Sequence, residues 1–399
     1  MKINYDIIKP FILLITLLIL NFSALGQTKI DSLKTVLSAT EIKESRLDVL
    51  DALTNELVRS NSDEQADYLN EYLLLAKQLE EYDLMAAKSR FLIQYYVYEE
   101  KVEKGRRLCD SMLSFKPLFK KEKSEAHLLL KRAQFYFLSD EHDNAIKDYE
   151  TSASMFLKSG DSIYAADAIY FAGNSYALKS NFSNAIKNYR TASNLYEFLG
   201  DDAYVVRVGS EITSLYTQMG FTDKAIDERQ RLLERARIVK DSLAIGQLIA
   251  QDIVDYNKSA QFGKMNEQLD AFIDFYHTVK RDDLKTYWHH IATIYKVIYH
   301  CKTDNKEKAN QYFKELEALS ENKELVAYLE TDLLFAKEVY YDYSNEAEKH
   351  REVLIKLSNI KTTSRLESQT NARGKLAKIY KREGKLNQAL ELQELNAKI

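Results

Sequence analysis

Only two prolines and 11 glycines occur among 399 residues. That removes the turn punctuation strand-rich folds require and leaves an all-α chain as the reading. Pro10 lies in the N-terminal segment and Pro117 in a connecting loop. Two cysteines, Cys109 and Cys301, are too few for a disulfide framework. Catalytic signatures are missing as well. There is no Gly-x-Ser-x-Gly elbow, phosphate-binding loop, Cys-x-x-Cys pair or His-Glu-x-x-His helix, so neither a catalytic residue nor a cofactor is expected. An excess of one charge is absent too, with 56 basic against 60 acidic residues and a net charge of -4. The basic run Lys120, Lys121 and Lys123 is interrupted by Glu122 and Glu125. It reads as a solvated face, and no nucleic-acid partner is expected.

Seven histidines include Trp288-His289-His290 and His300-Cys301. Adjacent helical positions point about 100° apart, and His289 to His300 spans roughly 16 Å at about 1.5 Å per residue. Zinc ligands converge about 2 Å from one ion, so no metal site is expected from these residues.

Long hydrophobic runs are also lacking. Lys2 and Lys9 precede an apolar stretch from Phe11 to Leu20, and Ala24 and Gly26 place small residues just before Gln27. A membrane-spanning helix needs about 20 apolar residues. The shorter stretch therefore reads as a secretory signal peptide over residues 1–26, cleaved before Gln27. No later stretch has the length of a span. The mature chain is expected to be exported, periplasmic or secreted, with no membrane span after cleavage.

What the sequence has in quantity is tyrosine, 27 residues, and it is periodic. Tyr96, Tyr136, Tyr176, Tyr216 and Tyr256 follow one another at steps of 40. Small residues keep the same step at Gly105, Ala145, Ala185 and Ala225, the position continues as Met265, and Ala66 stands 39 residues before Gly105. Beyond Met265 the register loosens to Ala309, Ala347 and Ala389. Such a period marks an array of stacked helical hairpins. Between hairpins, Ser159-Gly160-Asp161 and Leu199-Gly200-Asp201 place a glycine where a helix C-terminus needs positive φ. Within hairpins, the turns Ser139–Asp143, Lys179–Ser183 and Gln218–Asp223 supply polar side chains expected to cap the second helix. Cys109 and Cys301 fall in hairpins far apart in the stack and are expected to be packed small hydrophobes.

Residues Ala166 to Leu199 carry Gly173, Tyr176, Ala185, Tyr189 and Ala192 at the offsets of two packed antiparallel helices, and this stretch resembles a tetratricopeptide repeat. Gly173 and Ala185 allow close approach, while Tyr176 and Tyr189 fill the groove between hairpins, and the tyrosine ladder is read as packing. The usual period of that repeat is about 34, so the longer step here lengthens each helix by about three residues. The resemblance implies a right-handed α-solenoid of about nine hairpins over residues 46–399. A capping helix over residues 27–45 precedes it, with Asp31, Lys34 and Thr35 on its polar face. Ile30-Asp31-Ser32-Leu33 followed by Arg46-Leu47-Asp48-Val49-Leu50 resembles the entry to exported arrays that form the sensing region of bacterial signalling proteins.

In the repeat family it resembles, the first helix of each pair lines a concave groove, and the residue after the Gly173 position points into it. That residue is Asn55, Gln94, Gln134, Asn174 and Ser214 in successive hairpins, and the row is interrupted by Val254 and Ile298. Carboxamides offer both a donor and an acceptor to an extended backbone. An exposed groove also needs polar residues simply to face water, so the same row is open to a solvation reading. Tyr98, Phe137, Tyr170 and Phe171 lie on the same wall. At the other end Leu390, Leu392 and Leu395 form an apolar face with no helix after it. The expected function is an exported, non-enzymatic scaffold binding a protein or peptide in its groove. The alternative is a sensory or assembly module whose C-terminal face self-associates or docks on a membrane signalling partner.

Overall fold

The computed structural model describes residues 29–321, 323–360 and 366–397; the expected signal peptide lies outside them. The described residues form nineteen α-helices, one 3-10 turn at Lys116–Leu118 and no strand. They fall into two compact units, Met1–Val208 and Gly209–Ile399. The first contains α1 (29–39), α2 (Lys43–Arg59), α3 (Gln65–Gln78), α4 (Tyr82–Tyr98), α5 (Val102–Leu113), α6 (Glu122–Leu138), α7 (His142–Lys158), α8 (Ser162–Leu178) and α9 (Phe182–Phe198). The division falls within α10 (Asp202–Gln218). The second unit continues through α11 (Thr222–Ile238), α12 (Ser242–Lys258), α13 (Phe262–Thr278), α14 (Asp282–Lys302), α15 (Lys306–Leu319), α16 (Lys323–Tyr343), α17 (Ala347–Ser358), α18 (Leu366–Arg382) and α19 (Leu386–Ala397). After α1 the helices pair as nine hairpins.

The 40-residue period resolves into a finer one. Each helix from α6 to α13 is 17 residues long, and three-residue connections make the step 20. Every connection turns the same way. After α6, the Asp140 N–H donates to the Phe137 carbonyl and the Glu141 N–H to the Tyr136 carbonyl, at 3.2 and 2.9 Å. This pair of bonds is the Schellman closure, which holds its middle residue in the left-handed region. Accordingly φ is positive at residues 80, 100, 140, 160, 180, 200, 220, 240 and 260. The tyrosine ladder sits at one place in this device. Tyr96, Tyr136, Tyr176, Tyr216 and Tyr256 each lie three residues before the C-cap and supply the carbonyl that accepts the closing bond. Their rings pack the joint: Tyr216 and Tyr256 are buried, while Lys224 and Lys264 stack on them from the next helix at 4.4 and 5.7 Å. Among the described residues, glycine serves the left-handed position only at Gly160, Gly200, Gly220 and Gly384.

Packing within the first unit follows the helical stripe. Leu47, Leu50, Leu53 and Leu57 bury one face of α2, and Ile30 and Leu37 of α1 enter the same cluster. A buried leucine contributes about 1.5–3 kcal/mol, so α1 closes this end with apolar contact as well as the Lys34–Glu64 ion pair. Further on, α8 lies against both α7 and α9 and buries residues on most of its circumference. Gly173 is required there, because a Cβ would lie 2.7 Å from the Tyr189 ring. Ala185, Tyr189 and Ala192 are buried opposite it. Cys109 in this unit and Cys301 in the other are both buried free thiols, and burial pushes the Cys301 thiol up to about 12.

The second unit has a polar core feature with no sequence signature. Arg229 of α11 is 1% exposed, with its Nε 2.5 Å from Asp252 Oδ1 and its other arm paired to Asp255, both on α12. Thr217 and Gln230 complete the carboxylates' bonds. Burial raises the Asp252 carboxyl above its ordinary range despite the adjacent Arg229.

Two local expectations are corrected. Helices α7, α9 and α11 begin three residues before Ala145, Ala185 and Ala225, so Asp143, Ser183 and Asp223 lie inside the first turn and do not cap it. Of the three turns Lys179–Ser183 does supply a cap, through Asn181, whose side chain accepts from the Asn184 N–H, whereas α7 and α11 have no side-chain cap; elsewhere Asp241 and Asn305 cap α12 and α15. The second correction concerns α14, which has 21 residues. Ile298 stands at the same distance from its helix end as Val254 does in α12, but it is fully buried and does not face the groove.

Candidate functional site

In each unit the first helices of successive hairpins touch one another, α4 against α6 in one and α12, α14 and α16 in sequence in the other. Within each unit these helices form a layer; the first unit's carries Asn55, Gln94, Gln134 and Asn174 and the second unit's carries Ser214, all half-buried.

In the first unit these carboxamides are held by the protein itself. Lys131 Nζ lies 3.2 Å from Gln94 Oε1 and 3.4 Å from Gln134 Oε1. The Tyr189 hydroxyl donates to Asn174 Oδ1 at 2.8 Å. An ammonium only donates, so the atoms facing Lys131 are oxygens, and Gln94 and Gln134 keep their N–H groups to offer. Burial holds the Lys131 ammonium below the usual lysine range. Asn55 differs, because its oxygen accepts from Lys88 and its nitrogen donates to Asp51. Lys88 is 5% exposed and also pairs with Asp51 at 2.7 Å, so Asn55 braces α2 against α4.

An apolar row runs beside the carboxamides. Tyr98, Leu138 and Leu178 end α4, α6 and α8 and are 76%, 50% and 52% exposed. Of the other aromatic residues expected on this wall, Phe171 is exposed, Phe137 stacks edge-on against His142, and Tyr170 is buried. Tyr176 is half-buried and reaches Glu150 at 2.8 Å.

The second unit's layer contains a groove of about 380 Å³. Its described lining comes from Ser210, Glu211 and Ser214 of α10, Gln247, Ala250, Gln251 and Val254 of α12, Tyr287, Trp288, Ile291 and Tyr295 of α14, and Asp332 of α16. Ser214 is therefore placed in a concavity, and Val254 lines it too. Sequence reasoning missed Trp288, whose neighbouring histidines drew attention away from it. The available signal was Gly246, a lone glycine inside α12. A Cβ there would come within 2.3 Å of the Trp288 indole. Trp288 is 1% exposed, and neither its Nε1 nor Gln251 Oε1 has a hydrogen-bond partner.

The histidines go to separate partners. His289 meets Glu315 at 2.9 Å, His290 lies between the Thr286 and Leu319 carbonyls, and His300 stacks on Tyr312. Among the described residues, Glu338, Asp342 and His350 bring possible ligand atoms within 4.8 Å of one another. Glu338 there already accepts from His350 and Lys375, at 2.9 and 2.7 Å, which makes an ion-pair knot. At the far end of the chain, Leu390 and Leu395 of α19 are 55% and 39% exposed, Leu386 is 64% exposed, and Leu392 is half-buried. No helix among the described residues is long and apolar enough to cross a membrane.

No protein-family model and no curated protein matches the sequence. Solved structures do. The apo form of RapI is similar over 94% of this chain and 97% of its own, with a TM-score of 0.63 and 14% identity. Aspartyl phosphate phosphatase F from Bacillus subtilis gives 0.58 and 17%, covering 94% of each chain. The quorum sensor NprR from B. thuringiensis gives 0.58 and 13% in its apo form, covering 88% of this chain and 97% of its own. In complex with its cognate peptide NprX, NprR gives 0.50 at the same identity and coverage. At such identities the likeness speaks for the fold, and by its fold the chain is a tetratricopeptide-type helical-repeat protein.

Proposed function

We propose that this protein is an exported, non-enzymatic scaffold that binds a peptide or extended protein segment on its first-helix layer. The observation that carries the reading is the tethering of Gln94 and Gln134 by Lys131, and of Asn174 by Tyr189. With oxygens occupied, these carboxamides present a row of N–H donors, which is what the carbonyls of an extended backbone require. The exposed Tyr98, Leu138 and Leu178 beside them suit the ligand's apolar side chains. NprR, a protein of similar fold, is known in complex with a peptide. Export rests on the N-terminal lysines, short apolar run and small residues before Gln27.

A display selection of random decapeptides on residues 27–399 tests binding. Selected peptides are expected to lose at least tenfold in affinity for a Gln94→Ala/Gln134→Ala/Asn174→Ala variant of unchanged melting temperature. Equal binding to the variant would remove the carboxamide row from the mechanism, and a selection yielding no binder would remove the peptide reading. Export is checked by finding the N-terminus of the protein from cells at Gln27.

The exposed Leu386, Leu390 and Leu395 favour a second reading, in which α19 joins another copy. It predicts a dimer in light scattering that Leu390→Lys/Leu395→Lys abolishes; a monomer at all concentrations rejects it.

A further inference from the structure

The first unit carries an unbalanced charge beside its carboxamides. Lys131 takes, in α6, the place that Phe91 takes in α4 and Phe171 in α8. An ammonium has three protons to donate, and Lys131 directs two of them at neutral acceptors, the Gln94 and Gln134 oxygens, at 3.2 and 3.4 Å. Among the described residues no carboxylate pairs with it. Asp167 of α8 acts on it only from beyond pairing distance, and accepts the Tyr196 hydroxyl at 2.6 Å. Arg90 of α4, exposed and stacked on the Phe91 ring at 5.0 Å, also has no paired carboxylate among the described residues. It is close enough that its charge adds to burial in disfavouring the Lys131 ammonium. Both charges reach His127 of α6 as well, where burial first and Arg90 next hold the imidazole below its ordinary range. Every other cation of these two helices is balanced, since Lys88, Lys123 and Arg132 each pair with a carboxylate. Two like charges brought together on a half-buried face without a counter-ion are unfavourable, and an anion placed between them reverses the sign.

We propose that Lys131 and Arg90 form a subsite for an aspartate or glutamate side chain of the bound peptide. The proposal rests on the reading of the first-helix layer as the binding face and adds the class of side chain that this face selects. The carboxylate takes the remaining proton of Lys131 and the guanidinium of Arg90 in charge-assisted hydrogen bonds, which are the strong ones. A side chain rather than a chain terminus is the source, because the carboxamides continue on both sides of Lys131, to Gln94 in α4 and Asn174 in α8. A backbone held by that row passes Lys131 instead of ending there.

Random decapeptides are selected by display on the wild-type protein. Each recovered peptide, and its form with the acidic residue exchanged for the matching amide, is titrated against wild type and Lys131→Met, which keeps the apolar stem. Circular dichroism melting confirms that the variant folds. The expected result is a shared interior aspartate or glutamate whose exchange weakens wild-type binding by about tenfold or more, while Lys131→Met binds the two forms alike. Loss of the tether on Gln94 and Gln134 by itself would weaken both forms equally. An equal loss of both forms on Lys131→Met, or peptides that share no acidic residue, would therefore overturn the subsite while leaving the peptide reading in place. Peptides that stop binding when their C-terminus is amidated would overturn the assignment to a side chain. A selection that returns no binder would overturn both readings. If Lys131→Met does not fold, Arg90→Gln is titrated with the same pairs, and a ratio between the two forms equal to wild type counts against the subsite.

Discussion

Ala260 sits at φ 56° in the connection after α12, and Gly220 sits at φ 80° in the equivalent place after α10. The two turns close with the same bonds, Ala260 N–H to the Asn257 carbonyl and Gly220 N–H to the Thr217 carbonyl. Opposite substitutions at these two positions should therefore have opposite signs. A left-handed conformation costs an L-residue about 1–2 kcal/mol. Glycine returns about 0.4–1 kcal/mol of that through the greater freedom of its unfolded chain. The net expectation is that Ala260→Gly stabilises by about 0.5–1 kcal/mol and Gly220→Ala destabilises by the same amount. Sterics do not confuse the comparison, since a Cβ at Gly220 meets nothing within 4 Å and Ala260 is exposed. For a unit near 200 residues this corresponds to roughly 1–4 °C in melting temperature. Differential scanning calorimetry on the two variants and wild type reads it. A fall in melting temperature for Ala260→Gly, or a rise for Gly220→Ala, would refute the assignment of a shared Schellman turn.

Replacing Arg229 by leucine leaves Asp252 and Asp255 buried without their counter-charge, and should cost about 3–5 kcal/mol in urea unfolding; adding Asp252→Leu and Asp255→Leu should recover most of it. Burial, reinforced by Lys308 and Lys296, holds the His300 imidazole down at about 4. Since the unfolded value is about 6.5, its stability contribution is complete above that pH and is lost as pH falls towards 4, by up to about 3 kcal/mol. His300→Phe, which keeps a ring against Tyr312, should flatten the acid limb of a urea-midpoint profile, and an unchanged limb would exonerate His300. Gly246→Ala forces a methyl group onto the Trp288 indole at 2.3 Å, which should cost about 1–3 kcal/mol and shift the tryptophan emission.

The array was legible because its joints recur. One closing bond must be made every 20 residues, and in every second joint the same tyrosine position both accepts that bond and fills the space beside it. Such a constraint prints a period into the sequence, and Gly160, Gly200 and Gly220 mark three of the turns openly. The remaining turns are silent, since Glu80, Glu100, Asp140, Ser180, Lys240 and Ala260 adopt the same positive φ without being glycine. A strain of about 1–2 kcal/mol per turn is small beside the burial each hairpin gains, so local propensity yields to the stack. Arg229 was silent for another reason. Its partners lie 23 and 26 residues away on the next hairpin, where no short-range pattern joins them.

The carboxamide row shows the same division between what a position and what a partner reveals. Spacing alone brought Gln94, Gln134 and Asn174 onto one face, because residues at the same phase of successive first helices share it. It could not tell which end of each amide was left to offer. That is decided by Lys131, 37 residues from Gln94, and by Tyr189, 15 residues from Asn174. The groove lay further from view, since the matching place in α14 does not face it. Extending the row to the place in α14 that matches Val254 in α12 reached the buried Ile298, whereas the lining residues are Ile291 and Tyr295. What identifies the groove is a complementarity of shape across helices, Gly246 hollowed where Trp288 lies flat. A lone glycine within α12 weakens that helix by about 1 kcal/mol relative to alanine. That cost is the trace the groove leaves in the sequence.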